Sequence, residues 1–267
     1  MLSIVLLNYI YLLPSFFSKG YSMSDLAPKD RLIVAVDYKP SDCQSGETLA
    51  SKVICLARQL AELGVCIKIN SVLRACGYNL ILSLHSLGVK VFADLKLNDI
   101  PETMGTDGLN LSDYQPHILT VMCSAGVEGM RAAKQAVNKD CQVVGVTVLT
   151  SLKDASCQAV FGRSPKEAVL DFAELAKEAG LDGLVLSPLE TKMVKDSFGD
   201  SLSIINPGIR PHWALVANDD QKRIATPFDA IKNGADMIVV GRPITKAENP
   251  CEAAKKTIEE IEQALTS

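Results

Sequence analysis

The sequence predicts an α/β chain folded as a single-domain (β/α)8 TIM barrel. Three observations carry this prediction. Short apolar runs recur without alternation, amphipathic stretches separate them, and charged residues gather where the runs end. Runs rich in β-branched residues that do not alternate suit strands buried on both faces of a parallel sheet. The chain has 267 residues, of which 48% are hydrophobic. That is room for one large barrel and far from a disordered composition.

The predicted strands are residues 32–36, 65–69, 89–93, 118–122, 143–149, 183–186, 202–205 and 237–240. The helical stretch 47–63 follows the first strand and keeps apolar residues at helical spacing. Pro165–Ala179 does the same, with Ser164 as the predicted N-cap and Gly180 as the stop. The stretch 250–265 closes the chain, with Asn249 before its proline. Eight strand and helix units in about 240 residues are the arithmetic of the barrel. A doubly wound open sheet is the main alternative, but it usually carries a glycine-rich phosphate turn after the first strand. Here the first run ends Val36-Asp37-Tyr38-Lys39-Pro40.

The barrel domain is expected to span residues 23–267. Residues 1–22 read differently, because 2–17 is apolar and aromatic with Pro14 inside. That run is short for a transmembrane helix and lacks the basic start of a signal peptide. Met23 opens an ordinary soluble start, so residues 1–22 are expected to be dispensable or an artefact of an upstream start.

The formal net charge of -4 gives no basic footprint for nucleic acid. An anionic small substrate would need local positive charge, and no membrane partner is expected. The eight cysteines show no CxxC and no Cys/His metal spacing. They read as small buried hydrophobes of a reducing cytosol, so the expected location is cytoplasmic. Three histidines, His85, His117 and His212, leave little for a mechanism built on clustered imidazoles.

The stretch Phe92-Ala93-Asp94-Leu95-Lys96-Leu97-Asn98-Asp99-Ile100-Pro101-Glu102-Thr103 carries most of the chemistry. Residues two apart on a strand share a face, so Asp94 and Lys96 are expected to aim at one space, with Asp99 on the loop beyond. Charges gathered at the end of a buried strand are unfavourable unless they pair or act. Other strand ends repeat the pattern. Asp37 ends the first, Lys68 lies in the second, Thr150-Ser151 follows the fifth, Pro207-Gly208-Ile209-Arg210 the seventh, and Gly241-Arg242-Pro243 the eighth. Loops after strands seven and eight of such barrels often hold phosphate, and Arg210 and Arg242 offer planar, bidentate donors for it. Lys96, held charged and oriented by flanking carboxylates, reads as an acid catalyst. The same carboxylates would repel an anionic substrate group and favour its loss as CO2. The alternative is an ion-pair network that only fixes the barrel mouth.

Asp94-x-Lys96-x-x-Asp99-Ile100-Pro101 closely resembles the signature of the orotidine 5′-phosphate decarboxylase family. The resemblance extends over residues 31–250. It takes in Asp37, Lys68, Leu149-Thr150-Ser151, Pro207-Gly208-Ile209-Arg210-Pro211, residues 220–227 and Val240-Gly241-Arg242-Pro243-Ile244-Thr245. It implies that Asp37 and Lys68 hold the ribose hydroxyls and that Asp94 sits near the substrate carboxylate. It implies that Lys96 protonates C6 of the pyrimidine. Asp99 and Thr103 would reach the partner's substrate in a homodimer, so the site would need both chains. Thr150 and Ser151 would contact the pyrimidine. Arg210, Gln221, Gly241 and Arg242 would bind the phosphate, with Pro207 in the same substrate-binding motif and the loop from Arg210 to Gln221 as a lid. No metal and no organic cofactor is implied. The resemblance also implies de novo formation of UMP.

The chain departs from the family pattern at Met122-Cys123, where many relatives carry histidine after the valine. Altered packing near the site is expected, and Cys123 is either a thiol-sensitive group at the mouth or an inert core thiol. Two rival functions remain. One is a metal-using sister enzyme such as hexulose-phosphate synthase, in which a Glu typically stands where Lys68 stands here. The other is a catalytically dead binding barrel, which would have lost the lysine or the phosphate grip.

Overall fold

A computed structural model describes residues 26–215 and 225–267. The strands are β1 (Leu32–Ala35), β2 (Cys66–Ile69), β3 (Lys90–Leu97), β4 (Ile118–Met122), β5 (Gln142–Val146), β6 (Gly183–Val185), β7 (Ser203–Asn206) and β8 (Met237–Val240). They pair in parallel, each with the next, and β8 returns to β1 to close the barrel. The helices are α1 (Leu49–Leu60), α2 (Ser71–Cys76), α3 (Asn79–His85), α4 (Pro101–Ser112), α5 (Gly126–Ala136) and α6 (Asp154–Phe161). They continue with α7 (Pro165–Ala179), α8 (Thr191–Phe198), α9 (Pro227–Lys232), α10 (Arg242–Thr245) and α11 (Pro250–Thr266). The predicted (β/α)8 barrel is the fold observed.

Strand alternation splits the apolar residues into two layers. Ile33, Ala35, Cys66, Phe92, Ile118, Val144, Ile205, Met237 and Val239 fill the barrel itself. Leu32, Val34, Ile67, Val91, Leu119 and their outward neighbours pack beneath the helices. Both faces are therefore dry, which is why the strand sequences do not alternate. Inward parity then carries Asp37, Lys68, Asp94 and Thr120 to the C-terminal mouth.

The cap and stop of the seventh helix work as read. The Ser164 hydroxyl accepts from Glu167 N, and Gly180 stops α7 at φ 76°. Asn249 caps α11 by accepting from Glu252 N. Boundaries shift where local bonds compete. The stretch 47–63 starts later, because Glu47 is drawn into a turn by Gln44 N while Thr48 caps α1. Its last residues tighten into a 3-10 turn before Gly64, whose φ is 69°. The fifth strand is shorter than 143–149, because Thr147 N takes Val185 O and β6 ends there. The third is longer and irregular. Ala93 pairs with Leu119 and Leu97 with Val121, four steps against two, so β3 bulges across Asp94, Leu95 and Lys96.

The opposite, N-terminal face uses charge for structure. The Asp182 and Asp236 carboxylates accept from the backbone N–H of Val143 and Ile204, each at 2.7 Å. Lys134 and Lys195 pair with them. Of the cysteines, Cys66, Cys123, Cys141 and Cys157 are buried, Cys43, Cys76 and Cys251 are half-buried and Cys55 is exposed. The expectation of buried small hydrophobes thus holds only in part. Cys123 lies in the outer core, not at the mouth. Burial pushes its thiol up to about 12, which favours the inert reading. A Cβ on Gly145 would lie 2.5 Å from its sulfur, so that strand position has no room for a side chain.

His85 and His117 pack edge to face at 5.3 Å near the same face. Burial drives His85 down to about 4 and His117 down to about 3, the latter with help from His85 and Lys90. The unfolded chain takes up these protons as the pH falls through about 6.5, while the folded chain stays neutral. Stability therefore falls as the pH drops from about 6.5 toward 4. Urea unfolding at about pH 5 is expected to show a lower midpoint than at about pH 7.5, and His117→Gln is expected to flatten the difference. Asp94 titrates below this window, so a flat wild-type profile would contradict the assignment to the histidines.

Candidate active site

Asp94 is the centre of the constellation. It leaves β3 inside the bulge and is 6% exposed. Its Oδ2 lies 3.0 Å from Lys68 Nζ, and its Oδ1 lies 2.6 Å from Lys96 Nζ. Oδ1 also accepts from the Thr120 hydroxyl at 3.0 Å. Lys68 turns a second time, to Asp37 Oδ1 at 3.2 Å. The result is an alternating row, Asp37, Lys68, Asp94, Lys96, with two negative and two positive charges. Pairing of this kind offsets the desolvation that burial imposes.

The row sets its own protonation. Burial disfavours the Lys68 ammonium, but Asp94 and then Asp37 outweigh it, and its pKa rises. Burial alone would push the Asp94 carboxyl up, yet Lys68 and Lys96 overcome this and hold it below the usual carboxylate range. Asp94 is thus a permanent anion at neutral pH, with an ammonium on each oxygen.

A cleft of ≈ 430 Å³ opens above this row. Phe92, Val146, Val148, Val185, Leu186 and Ile209 give it apolar walls, while Asp37, Lys68, Asp94 and Lys96 line its charged side. Across the barrel, from the β7 and β8 ends, come Pro207, Gly208, Arg210, Gly241 and Arg242. The arrangement suits a long polar molecule with an anionic end at the arginines and a reacting centre at Lys96. Arg210 is fixed through its backbone, since Arg210 N donates to Ala225 O at 3.0 Å.

Most predicted site residues converge here. Asp37, Lys68, Asp94, Lys96, Thr150, Pro207, Arg210, Gly241 and Arg242 all line the cleft. Ser151 is exposed on the loop and does not. Asp99 and Thr103 also lie outside this chain's cleft. Asp99 is exposed and its Oδ1 accepts from Ile100 N at 2.7 Å, while Thr103 is half-buried on α4. Gln221, and with it most of the expected lid, lies outside the described residues. Met122 is half-buried and does not line the cleft.

Sequence reading missed Thr120. It is fully buried, and it both donates to Asp94 and accepts from Lys96 N at 2.9 Å. Its signal was available: a hydroxyl in an apolar strand, at the inward parity set by Ile118. Among the described residues no three His, Cys, Asp or Glu side chains gather as metal ligands, and no helix is long and apolar enough to cross a membrane.

The model described as "Orotidine 5'-phosphate decarboxylase / HUMPS family" matches residues 30–257. The chain is similar to an orotidine 5′-phosphate decarboxylase of Desulfosudis oleivorans, 37% identical over 248 residues, covering 90% of this chain and 96% of the relative. It is similar to the protein of the same name from Syntrophomonas wolfei, 34% identical over 247 residues, covering 88% of this chain and 99% of the relative. Its fold matches the crystal structure of orotidine 5′-phosphate decarboxylase from Lactobacillus acidophilus with a TM-score of 0.72 and 29% identity, covering 87% of this chain and 99% of that one.

Removing one member of the row is expected to leave uncompensated charge. Lys68→Met strips an ammonium from buried Asp94 Oδ2 and should lower stability by on the order of 3 kcal/mol. Chemical denaturation near neutral pH measures this. A change within about 0.5 kcal/mol, the range of ordinary surface substitutions, would show that Asp94 does not depend on the pair.

Proposed function

Because the chain belongs to the orotidine 5′-phosphate decarboxylase / HUMPS family, we propose that it is a carboxy-lyase that converts orotidine 5′-phosphate to UMP and CO2. The observation that carries this reading is the pairing of an ionised, buried Asp94 with Lys96 on one side of a cleft whose far side carries Arg210 and Arg242. The reaction belongs to de novo pyrimidine biosynthesis, and the working compartment is the cytoplasm.

In this mechanism Arg210, Arg242 and the backbone at Gly241 hold the phosphate, together with Gln221. Asp37 and Lys68 take the ribose hydroxyls. Thr150 meets the pyrimidine from the cleft wall, Ser151 closes on it from the exposed loop just outside, and Pro207 shapes the wall beside it. The substrate carboxylate is brought against the Asp94 anion, and binding energy from the remote phosphate offsets that repulsion. The bond from C6 to the carboxyl carbon breaks, CO2 leaves, and the electron pair stays on C6. Lys96 Nζ delivers its proton to C6, and the neutral amine regains one from water. None of these steps calls for a metal or organic cofactor.

Asp99 and Thr103 lie outside their own chain's cleft, which supports a homodimer in which each chain completes its neighbour's site. The metal-using branch of the family is the second reading. Lys68 and Ile100-Pro101 favour the decarboxylase over it, and full activity in EDTA would agree.

Loss of the orotidine 5′-phosphate absorbance on adding purified protein tests the reaction. Lys96→Ala is expected to lower kcat by more than roughly 10³-fold with the fold retained, the scale of a lost general acid. Arg242→Ala should act mainly on KM, raising it about tenfold or more. A folded, inactive wild type would overturn the assignment. For the shared site, Lys96→Ala and Asp99→Asn chains mixed under subunit exchange should regain about a quarter of wild-type activity, from the one intact site of each heterodimer. A dead mixture despite exchange would argue for self-contained sites.

A further inference from the structure

Lys96 carries a backbone that lysine seldom adopts. Its φ is 51°, and Gln115 is the only other non-glycine residue with positive φ among the described residues. In this left-handed region the Cβ crowds its own backbone, so the conformation persists only where surroundings enforce it. The strand ladder does not enforce it, because Lys96 sits inside the β3 bulge, between the pairings at Ala93 and Leu97.

What holds it is a grip on both ends of one peptide unit. The Leu95 carbonyl accepts from Arg74 Nη2 at 2.5 Å. On the other side of the same plane, Lys96 N donates to Thr120 Oγ1 at 2.9 Å. Arg74 is itself steadied, since its Nη1 donates to Asn70 Oδ1 at 2.6 Å. Thr120 sends its own proton to Asp94 Oδ1, the oxygen that also meets Lys96 Nζ. The peptide plane is thus fixed from α2 on one flank and from β4 on the other, and that plane sets the direction in which the lysine leaves the chain. Neither Arg74 nor Thr120 lines the cleft.

We propose that Arg74 and Thr120 are positioning residues that clamp the Leu95–Lys96 peptide and so aim the Lys96 ammonium at Asp94 and the reacting carbon. This rests on the reading of Lys96 as the proton donor. A guanidinium that merely tied α2 to β3 would affect stability and leave turnover per folded molecule unchanged.

The test uses Arg74→Met, Thr120→Val and Thr120→Ser, each with its folded fraction measured. Misplacing a reacting group by an ångström can lower a rate by roughly 10²-fold. A kcat loss of that order is expected for Arg74→Met and Thr120→Val, with KM within about threefold of wild type. Thr120→Ser keeps a hydroxyl and should recover most of the loss. Because the phosphate grip is untouched, the loss should be the same factor on the phosphate-free nucleoside orotidine. Unchanged kcat in both variants, or a loss confined to KM, overturns the proposal. A crystal structure of the Arg74→Met, Thr120→Val double variant reads the clamp without the reaction. Residue 96 should leave positive φ and its Nζ should move off Asp94. Retention of both would overturn the clamp, active or not. A displaced Lys96 alongside an inactive wild type would uphold the clamp and remove only the assigned reaction.

Discussion

Everything at the mouth of this barrel depends on keeping Asp94 ionised while it is nearly out of water. An isolated carboxylate there would take up a proton instead of staying charged. Asp94 stays charged because each of its oxygens meets an ammonium and one also receives a hydroxyl proton. These partners come from β2, β3 and β4, three strands paired side by side whose inward residues meet at the barrel mouth. The fold is therefore a condition of the charge, and the charge in turn fixes where Lys68 and Lys96 stand.

The two ends of the barrel put buried charge to different uses. On the N-terminal face Asp182 and Asp236 spend their oxygens on backbone N–H groups and on Lys134 and Lys195. Those carboxylates close the ends of strands. At the C-terminal mouth the row from Asp37 to Lys96 faces an open cleft instead of a neighbouring strand end. Satisfied charge at the bottom stabilises, and charge bordering a space for substrate at the top can do chemistry. This division agrees with the general placement of active sites in such barrels.

Much of this was legible in the sequence, because inward parity and strand ends are written in residue order. The eight strands, the caps at Ser164 and Asn249, and the convergence of Asp37, Lys68, Asp94, Lys96, Arg210 and Arg242 follow from apolar runs and what terminates them. What was not legible depends on neighbours. The β3 bulge carries no glycine or proline to announce it, so a simple period of two brought Asp94 and Lys96 together for an incomplete reason. They meet because the strand leaves its ladder and Lys96 turns left-handed. Thr120 and Arg74 were missed for the same cause. Their partners lie 24 and 21 residues away in sequence, on a different element of the fold. Thr103 reads as a site residue only through family resemblance and Asp99 also as the carboxylate on the loop beyond Lys96, and within one chain both stand outside the cleft.

The bulge also explains why an unfavourable backbone is kept at the centre of the site. A regular strand would place Lys96 in the ladder, its peptide bonded to β4 and its side chain governed by the pleat alone. Releasing that peptide frees its carbonyl and N–H for partners chosen by the site, here a guanidinium and a hydroxyl. Both groups of that peptide are then satisfied, as buried backbone polar groups must be. The strain is confined to a single φ and does not spread, because Ala93 and Leu97 resume pairing on either side. A lysine on a flexible stem is thereby given a defined starting direction, and its long side chain needs to lose less freedom when it meets Asp94. Rigid direction at the backbone and charge pairing at the tip act on the same residue from opposite ends, which is the arrangement a preorganised proton donor requires.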